Sequence, residues 1–480
     1  MKKISLNFIY NLSYKILLII APLITTPYLA RKLGAGPIGQ YSYVSTLVST
    51  LLLLGGLGTG LYAQRGIAQR RDNLREKSIF FKEVFLIRFI GVALCLVLFI
   101  IISVFCEAQI LYLICGIEII AYIFDISWLY QGEEDFGKVL LRNIILKLAT
   151  IVFIYILIKT PYDLNKYGFL KATSVMLSNL SIWPFINRHV LVKTTNTINL
   201  KKHITPIVRL FIPQILTQIY SNSDKLMLKW IKNDNFENGY YDQTYKIIEA
   251  CLVFRQALSA TLLPRLSYLY ANGKKEEYKD LLFKAIRIVL MSSFPMFVGL
   301  LLIAEEFTAY FFGTGYEKVG LLLKIYSPYL MISIFSGLIC QQYLVVTGKE
   351  KIYMQMTTFA AIFNVVINLF LIRSFASMGA VIATLLSESI LFVMALVVAE
   401  KDGILRIHET VYLSGNYAIA SIFMGAFLIF TEHIFCQSFI SLIFRVIAAA
   451  IVYFILLIVF KEPITNSILH KVKGVNRSVR

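Results

Sequence analysis

Apolar residues in this chain fill runs of about twenty, which at 1.5 Å per helical residue is enough to cross the hydrocarbon of a bilayer. The runs fall near 8–30, 38–62, 80–104, 108–130, 138–158, 166–187, 206–230, 238–262, 282–303, 322–346, 353–373, 379–399, 411–430 and 439–461. They predict an all-α polytopic membrane protein with about fourteen transmembrane helices. The polar stretches between them are short. The longest on the predicted outer side, around Glu305 to Gly320, leaves no room for a soluble domain.

Basic residues crowd alternate loops. Arg65, Arg70, Arg71, Arg75 and Lys77 share one, Arg188, Lys193, Lys201 and Lys202 another, and further groups occur at Lys274–Lys279, Lys349–Lys351, Lys401–Arg406 and in the tail at Lys471, Lys473, Arg477 and Arg480. The positive-inside rule then places these loops and both termini in the cytoplasm. The basic stretch from Asn187 to His203 has six spans before it and eight after. It predicts an N-terminal lobe of helices 1–6 (1–190), a cytoplasmic linker (191–205), a C-terminal lobe of helices 7–12 (206–400), and helices 13 and 14 with a basic tail (401–480). An internal echo agrees with pseudo-repeated six-helix lobes: Pro22 and Thr25 followed by Gly39-Gln40-Tyr41 recur as Pro213 and Thr217 followed by Gly239-Tyr240-Tyr241.

Polar side chains within the spans are the candidate working surface, because an ionisable group at mid-bilayer must face protein or water. Helix 1 carries Asn7, Asn11 and Lys15 four residues apart, a single polar stripe. Helix 4 has Glu118, Tyr122 and Asp125 at helical spacing, and helix 5 has Asn143 and Lys147 one turn apart. Helix 7 carries Gln214, Gln218, Ser221 and Lys225 on one face with Asp224 beside it, and helix 8 carries Arg255 and the trio Asp242, Lys246 and Glu249, spaced for internal ion pairs. Helices 11 and 12 add Asn364, Asn368, Thr384 and Glu388. Two readings stay open for Lys15: it lines a cavity or snorkels toward an interface. Pro22, Gly34 and Gly39 are candidate hinges. Arg31 and Lys32, basic at an outer end, either anchor the interface or form a gate.

Composition agrees with the membrane reading: 58% of the 480 residues are hydrophobic, 16% are charged, and mean hydropathy is +0.71. The net charge of +19 would suggest nucleic acid in a soluble protein, but it sits in short loops facing an anionic leaflet rather than in aromatic-interleaved tracts. The six cysteines form no CxxC pair or metal-ligand spacing, so neither a disulfide framework nor a metal site is expected. Gly55-Gly56-Leu57-Gly58-Thr59-Gly60 lacks the Lys-Ser/Thr ending of a phosphate loop and reads as a packing or bending element. The five histidines sit in no HExxH or triad arrangement. The expectation is a non-enzyme without cofactor or metal, with proton or sodium coupling left open.

Several blocks resemble a known family. NFIYNLSYKILLIIAPLITTPYLARKLGAGPIGQYSYV from Asn7, Tyr62-Ala63-Gln64-Arg65, WLYQGEEDF at Trp128 to Phe136, Asp224-Lys225, GYYDQTYKI at Gly239 to Ile247, Pro264-Arg265-Leu266-Ser267 and GAVIATLLSE at Gly379 to Glu388 are similar, in order, to Wzx-type polysaccharide flippases. These are the lipid-linked oligosaccharide transporters of the multidrug/oligosaccharidyl-lipid/polysaccharide (MOP) superfamily. Helices 13 and 14 match no such motif. The resemblance implies a bacterial cytoplasmic-membrane carrier that moves undecaprenyl-diphosphate-linked repeat units to the outer leaflet for capsule, exopolysaccharide or O-antigen biosynthesis. Membrane lipids and polysaccharide polymerase or assembly proteins would be its partners, and nucleic acid would not. Under that implication Asn, Gln, Ser and Tyr replace water around the sugars, and Lys15 and Lys147, with Lys225 or Arg255, meet the diphosphate. Alternating access would rock the lobes about Pro22 and Gly34 to Gly39. Two alternatives remain: a multidrug exporter of the same superfamily, favoured if Asp125 or Glu388 is essential and Lys15 dispensable, and a membrane polysaccharide polymerase.

Overall fold

The computed structural model describes residues 17, 20–191, 198–405, 407–432, 434 and 438–466. Among these the chain is helical throughout, without strands. Asn7, Asn11 and Lys15 lie outside the described residues. The helices are α1 (20–33), α2 (Ala35–Gly56), α3 (Thr59–Gln69), α4 (Leu74–Val104), α5 (Gln109–Ile123), α6 (Ser127–Gly132), α7 (Phe136–Leu157), α8 (Leu164–Leu180), α9 (Lys201–Lys232), α10 (Asn235–Ala271), α11 (Lys275–Phe311), α12 (Glu317–Leu338), α13 (Glu350–Phe375), α14 (Ser377–Lys401), α15 (Ile407–Glu432) and α16 (Phe439–Val459). Nine described segments are long and apolar enough to cross a membrane, and α2 with α3, bent by 43°, makes a tenth if counted as one span. This is a multi-pass membrane protein. Their outward faces are apolar, as lipid requires: Leu94, Val97 and Val104 on α4 and Ile440, Phe444 and Ile451 on α16 are exposed.

Three runs that read as single helices are interrupted. Between α2 and α3 the chain passes through two left-handed residues, Leu57 (φ 48°) and Gly58 (φ 72°), which break the run expected over 38–62. Just before the break, Gly55 and Gly91 bring α2 and α4 into backbone contact, so that a Cβ on Gly91 would overlap the Gly55 carbonyl. The run expected over 108–130 stops at Ile123 and resumes at Ser127, with Asp125 in the turn. A π-helical turn, Ile339–Val345, continues α12.

The chain divides into two compact units, Met1–Gly239 and Tyr240–Arg480. In the first, α2 packs on α4, α5 and α9, and α5 packs on α8. Its aromatic core joins Phe81, Phe85, Trp128 and Trp183; Trp183 donates to the Phe124 carbonyl (2.8 Å) and Tyr130 to the Ile182 carbonyl (2.7 Å). In the second, α11 packs on α12 and α15, and α14 on α12 and α13. Arg445, 4% exposed, clamps α16 to α11 and α15 by holding both oxygens of Glu306 (2.8 and 2.7 Å) and the Leu428 carbonyl (3.0 Å).

Candidate functional site: a lysine cleft in the first unit

Helix α7 presents Asn143, Lys147 and Thr150, and α8 presents Lys171, Ser174 and Ser178, each set at helical spacing. Packing α7 on α8 turns the two stripes toward each other around a cleft of about 180 Å³ that Asn179 also lines. That is room for several water molecules. The polar groups on its walls hold one another: Ser178 donates to Asn143 Oδ1 (2.9 Å), as do Arg142 Nε (3.1 Å) and Nη2 (2.8 Å), and Thr150 donates to Ser174 Oγ (2.7 Å). Asn179 is fixed by donating to the Ala121 carbonyl (2.8 Å). Lys147 is different. It is half-buried, and among the described residues nothing forms an ion pair or hydrogen bond with its ammonium. A partly desolvated cation without a counter-charge, ringed by hydroxyls and amides, is arranged to receive an anion that carries its own hydrogen-bonding groups. Sequence reading found Asn143 and Lys147 but missed Thr150, Lys171, Ser174 and Ser178. The i, i+3, i+7 stripe on α8 was the available signal.

The other predicted residues fall in different surroundings. Asp125 stands in the turn after α5 instead of on a helical wall; its carboxylate is paired with the buried Arg88 (3.0 Å) and accepts the Ser127 N–H (3.0 Å), while the Arg88 guanidinium lies 3.8 Å from the centre of the Tyr122 ring. Gln214 donates to the Leu210 carbonyl of its own helix (2.8 Å) and Gln218 to Ser49 (3.3 Å). Ser221 is half-buried, and Asp224 and Lys225 are buried. Arg255 donates to the side chain (2.7 Å) and carbonyl (3.2 Å) of Ser333 and fills the space beside Gly337. Lys246 pairs with Asp242 (2.6 Å), as their spacing suggested. Pro22 is exposed on α1, as are Arg31 and Lys32 near its end.

The α1–α2 junction is a single residue, Gly34, whose φ of 80° suits glycine. Gly39 lies inside α2, not in the junction. A Cβ there would overlap the Asn235 carbonyl, and one on Gly239 would overlap the Ala35 carbonyl; Asn238 Nδ2 donates to the Gly39 carbonyl (3.2 Å). The two echoed segments thus cross each other, reciprocally, at their glycines.

Two buried clusters that sequence reading overlooked pin the ends of the basic linker to α4. Glu133 is held by Lys77 and His189, and the Leu191 N–H donates to Ser78 (2.8 Å). Glu83, 1% exposed, accepts from His203 (2.8 Å), Lys202 (2.7 Å) and the Asn199 N–H (2.9 Å), and His203 in turn shares a 2.7 Å hydrogen bond with Tyr62. The Tyr–His–Glu line resembles a relay in form. Its imidazole is buried and meets the Phe80 and Tyr62 rings edge-on, as suits a staple.

The sequence pattern of the family described as "Polysaccharide biosynthesis protein" matches residues 4–270. The chain belongs to that family. Its second half also matches the MatE family over residues 210–370, which places the chain in the MOP superfamily, as the resemblance implied. This family member is 24% identical over 389 residues to a Shigella dysenteriae protein named "Putative O-antigen transporter", covering 79% of this chain and 96% of the relative. A protein of the same name from Escherichia coli K12 is 21% identical over 80% of this chain and 94% of its own length. Among solved structures, the lipid II flippase MurJ in an inward closed conformation superposes with TM-score 0.73 at 18% identity, covering 95% of this chain and 100% of MurJ. An inward-facing multidrug MATE transporter gives 0.60 at 15% identity, covering 80% and 94%. At these identities the likeness concerns the fold.

Proposed function

We propose that the protein is a flippase for lipid-linked oligosaccharides, carrying undecaprenyl-diphosphate-linked repeat units across a bacterial cytoplasmic membrane by alternating access. It supplies capsule, exopolysaccharide or O-antigen assembly, hands cargo to a polymerase, and keeps both termini in the cytoplasm. The observation that carries this reading is Lys147, without an ion-pair partner among the described residues, in a cleft of amides and hydroxyls, chemistry suited to a diphosphate bearing sugars. Family membership and the relatives named for O-antigen transport support it. A headgroup of this kind does not cross hydrocarbon unaided, since each unpartnered polar group costs several kcal/mol. Helices 1–6 and 7–12 act as rocking lobes, with Lys15, Lys225 and Arg255 as further cations along the route and Arg31 and Lys32 at the exit.

The test deletes the gene and restores it with wild type or Lys147→Ala. Loss of a hydrogen bond to a charged group costs about 1.5–3 kcal/mol, so transport should fall roughly ten- to hundredfold at normal membrane level. Undecaprenyl-linked units should then accumulate in extracted lipids. Unchanged intermediates in the deletion strain, with new drug sensitivity, would replace this reading by drug export. Full transport by Lys147→Ala would remove the cleft from the route.

A further inference from the structure

A second cleft lies in the other unit, far along the chain from the lysines of the first. Helices α11 and α15 begin, and α16 ends, around a hollow of about 980 Å³, the upper end of the range of ligand-binding clefts. Its floor is apolar, formed by Phe283, Ile286 and Leu413. Its rim carries both signs of charge: Lys284 and Arg287 beside Asp280 and Glu409. Its lining comes from the ends of three candidate spans, Lys275–Phe311, His408–Glu432 and Phe439–Val459, the part of a spanning helix that meets lipid headgroups. Tyr412, 85% exposed at its edge, has the amphipathic character favoured at that depth.

Below the rim the wall is built firmly. Glu462, 2% exposed, accepts from Tyr417 (2.9 Å), from the N–H groups of Ile464 and Thr465 (2.8 Å each), and faces Arg287 at 3.6 Å. This fixes the turn after α16, which supplies Pro463 and Ile464 to the lining. Lys284 and Asp280 pair at 2.6 Å but are 60% and 66% exposed. A pair so open to solvent is worth little, and its two charges are available to a ligand that brings its own complement.

We propose that this cleft is a binding site for a membrane phospholipid whose headgroup joins a phosphate to a primary ammonium, such as phosphatidylethanolamine. The phosphate lies against Lys284 and Arg287, the ammonium donates to Asp280 and Glu409, and the upper acyl segments rest on Phe283, Ile286 and Leu413. A headgroup with phosphate and no amine brings negative charge toward Asp280 and Glu409 without an ammonium to offset it. A choline headgroup carries the positive charge but has no N–H to donate. The assignment does not depend on the flippase reading.

The experiment purifies the full chain, reconstitutes it in vesicles of phosphatidylethanolamine, phosphatidylcholine and phosphatidylglycerol in equal parts, and measures by mass spectrometry the lipid retained after mild delipidation. Phosphatidylethanolamine should be enriched over both others. Lys284→Ala and Asp280→Ala, both at exposed positions, should each cut that enrichment roughly fivefold, the scale of one exposed charge contact, and Leu413→Trp should abolish it by filling the floor. Equal retention of all three lipids, preference for phosphatidylglycerol, or enrichment untouched by the three variants would overturn the proposal. So would displacement of the retained lipid by added undecaprenyl diphosphate, which would mark the cleft as a cargo site. The same readout on a chain ending at Asn466 excludes the C-terminal tail as occupant if enrichment is unchanged, and refutes the proposal if it appears only after truncation.

Discussion

Gly39→Ala is the smallest change that tests how the echoed segments cross. The added methyl would overlap the Asn235 carbonyl and press on the Gly239 nitrogen, both backbone atoms that no rotamer change can move aside. Overpacking of a tight contact costs about 1–3 kcal/mol. The separation also stretches the 3.2 Å bond from Asn238 Nδ2, a fully buried amide, and an orphaned buried polar group costs about 1–3 kcal/mol more. A total near 3 kcal/mol corresponds to a depression of Tm of roughly 5–10 °C for a unit of this size. Purified wild type, Gly39→Ala, Gly239→Ala and Gly415→Ala would be melted side by side in detergent. Gly415 is the control: it is helical, and a Cβ there meets nothing within 4 Å, so alanine should be neutral or stabilise by up to about 1 kcal/mol. Equal melting of Gly39→Ala and Gly415→Ala would refute the glycine crossing.

Other outcomes follow from groups already placed. Arg88→Leu should destabilise by about 3 kcal/mol because Asp125 loses its counter-charge, whereas Arg88→Leu with Asp125→Leu should recover most of the loss; thermal melting of the single and double variants decides. Glu83→Ala should cost a similar amount and free the segment held through Asn199, Lys202 and His203, read as faster tryptic cleavage after Lys201; unchanged cleavage would show that the staple does not hold it. Asp163, in the turn between α7 and α8, is held well below the usual carboxylate range by the Lys166 ammonium and by the N–H groups of Lys159 and Thr160. Its stabilisation is therefore present above the ordinary carboxylate pKa of about 3.9 and is lost as pH falls through its lower folded value. Melting from pH 7 to pH 3 should decline less for Asp163→Asn than for wild type, and identical slopes would contradict this.

What could be read from residues alone was set by range of interaction. Hydrophobic runs report burial in lipid residue by residue, so the helical class and most span positions were visible. The glycine run from Gly55 to Gly60 announced the bend between α2 and α3, whereas the break after Ile123 was not visible, because a charge at Asp125 depends on what packs alongside. Asp125 illustrates the limit: its spacing with Glu118 and Tyr122 suggested a cavity wall, but its partner Arg88 comes from another helix and no local pattern announces it. Local spacing sufficed for Asp242 with Lys246, one turn apart, and for Asn143 with Lys147. The linker's histidines were passed over because each acts through a carboxylate more than fifty positions distant.

The burial of Arg88 also bears on how the protein is made. Asp125 follows it by 37 residues, and Tyr122 by nearly as many, so α4 reaches the insertion machinery before either neighbour has left the ribosome. An arginine entering the bilayer alone costs up to about 2.5–3.5 kcal/mol on insertion scales. The most apolar window in α4 has mean hydropathy 3.0, the highest among the nine candidate spans. That surplus of leucine, isoleucine and phenylalanine exceeds what the finished packing uses, since most of it faces outward. Its service is temporal: it carries an uncompensated charge through the interval of synthesis before the charge's partner exists.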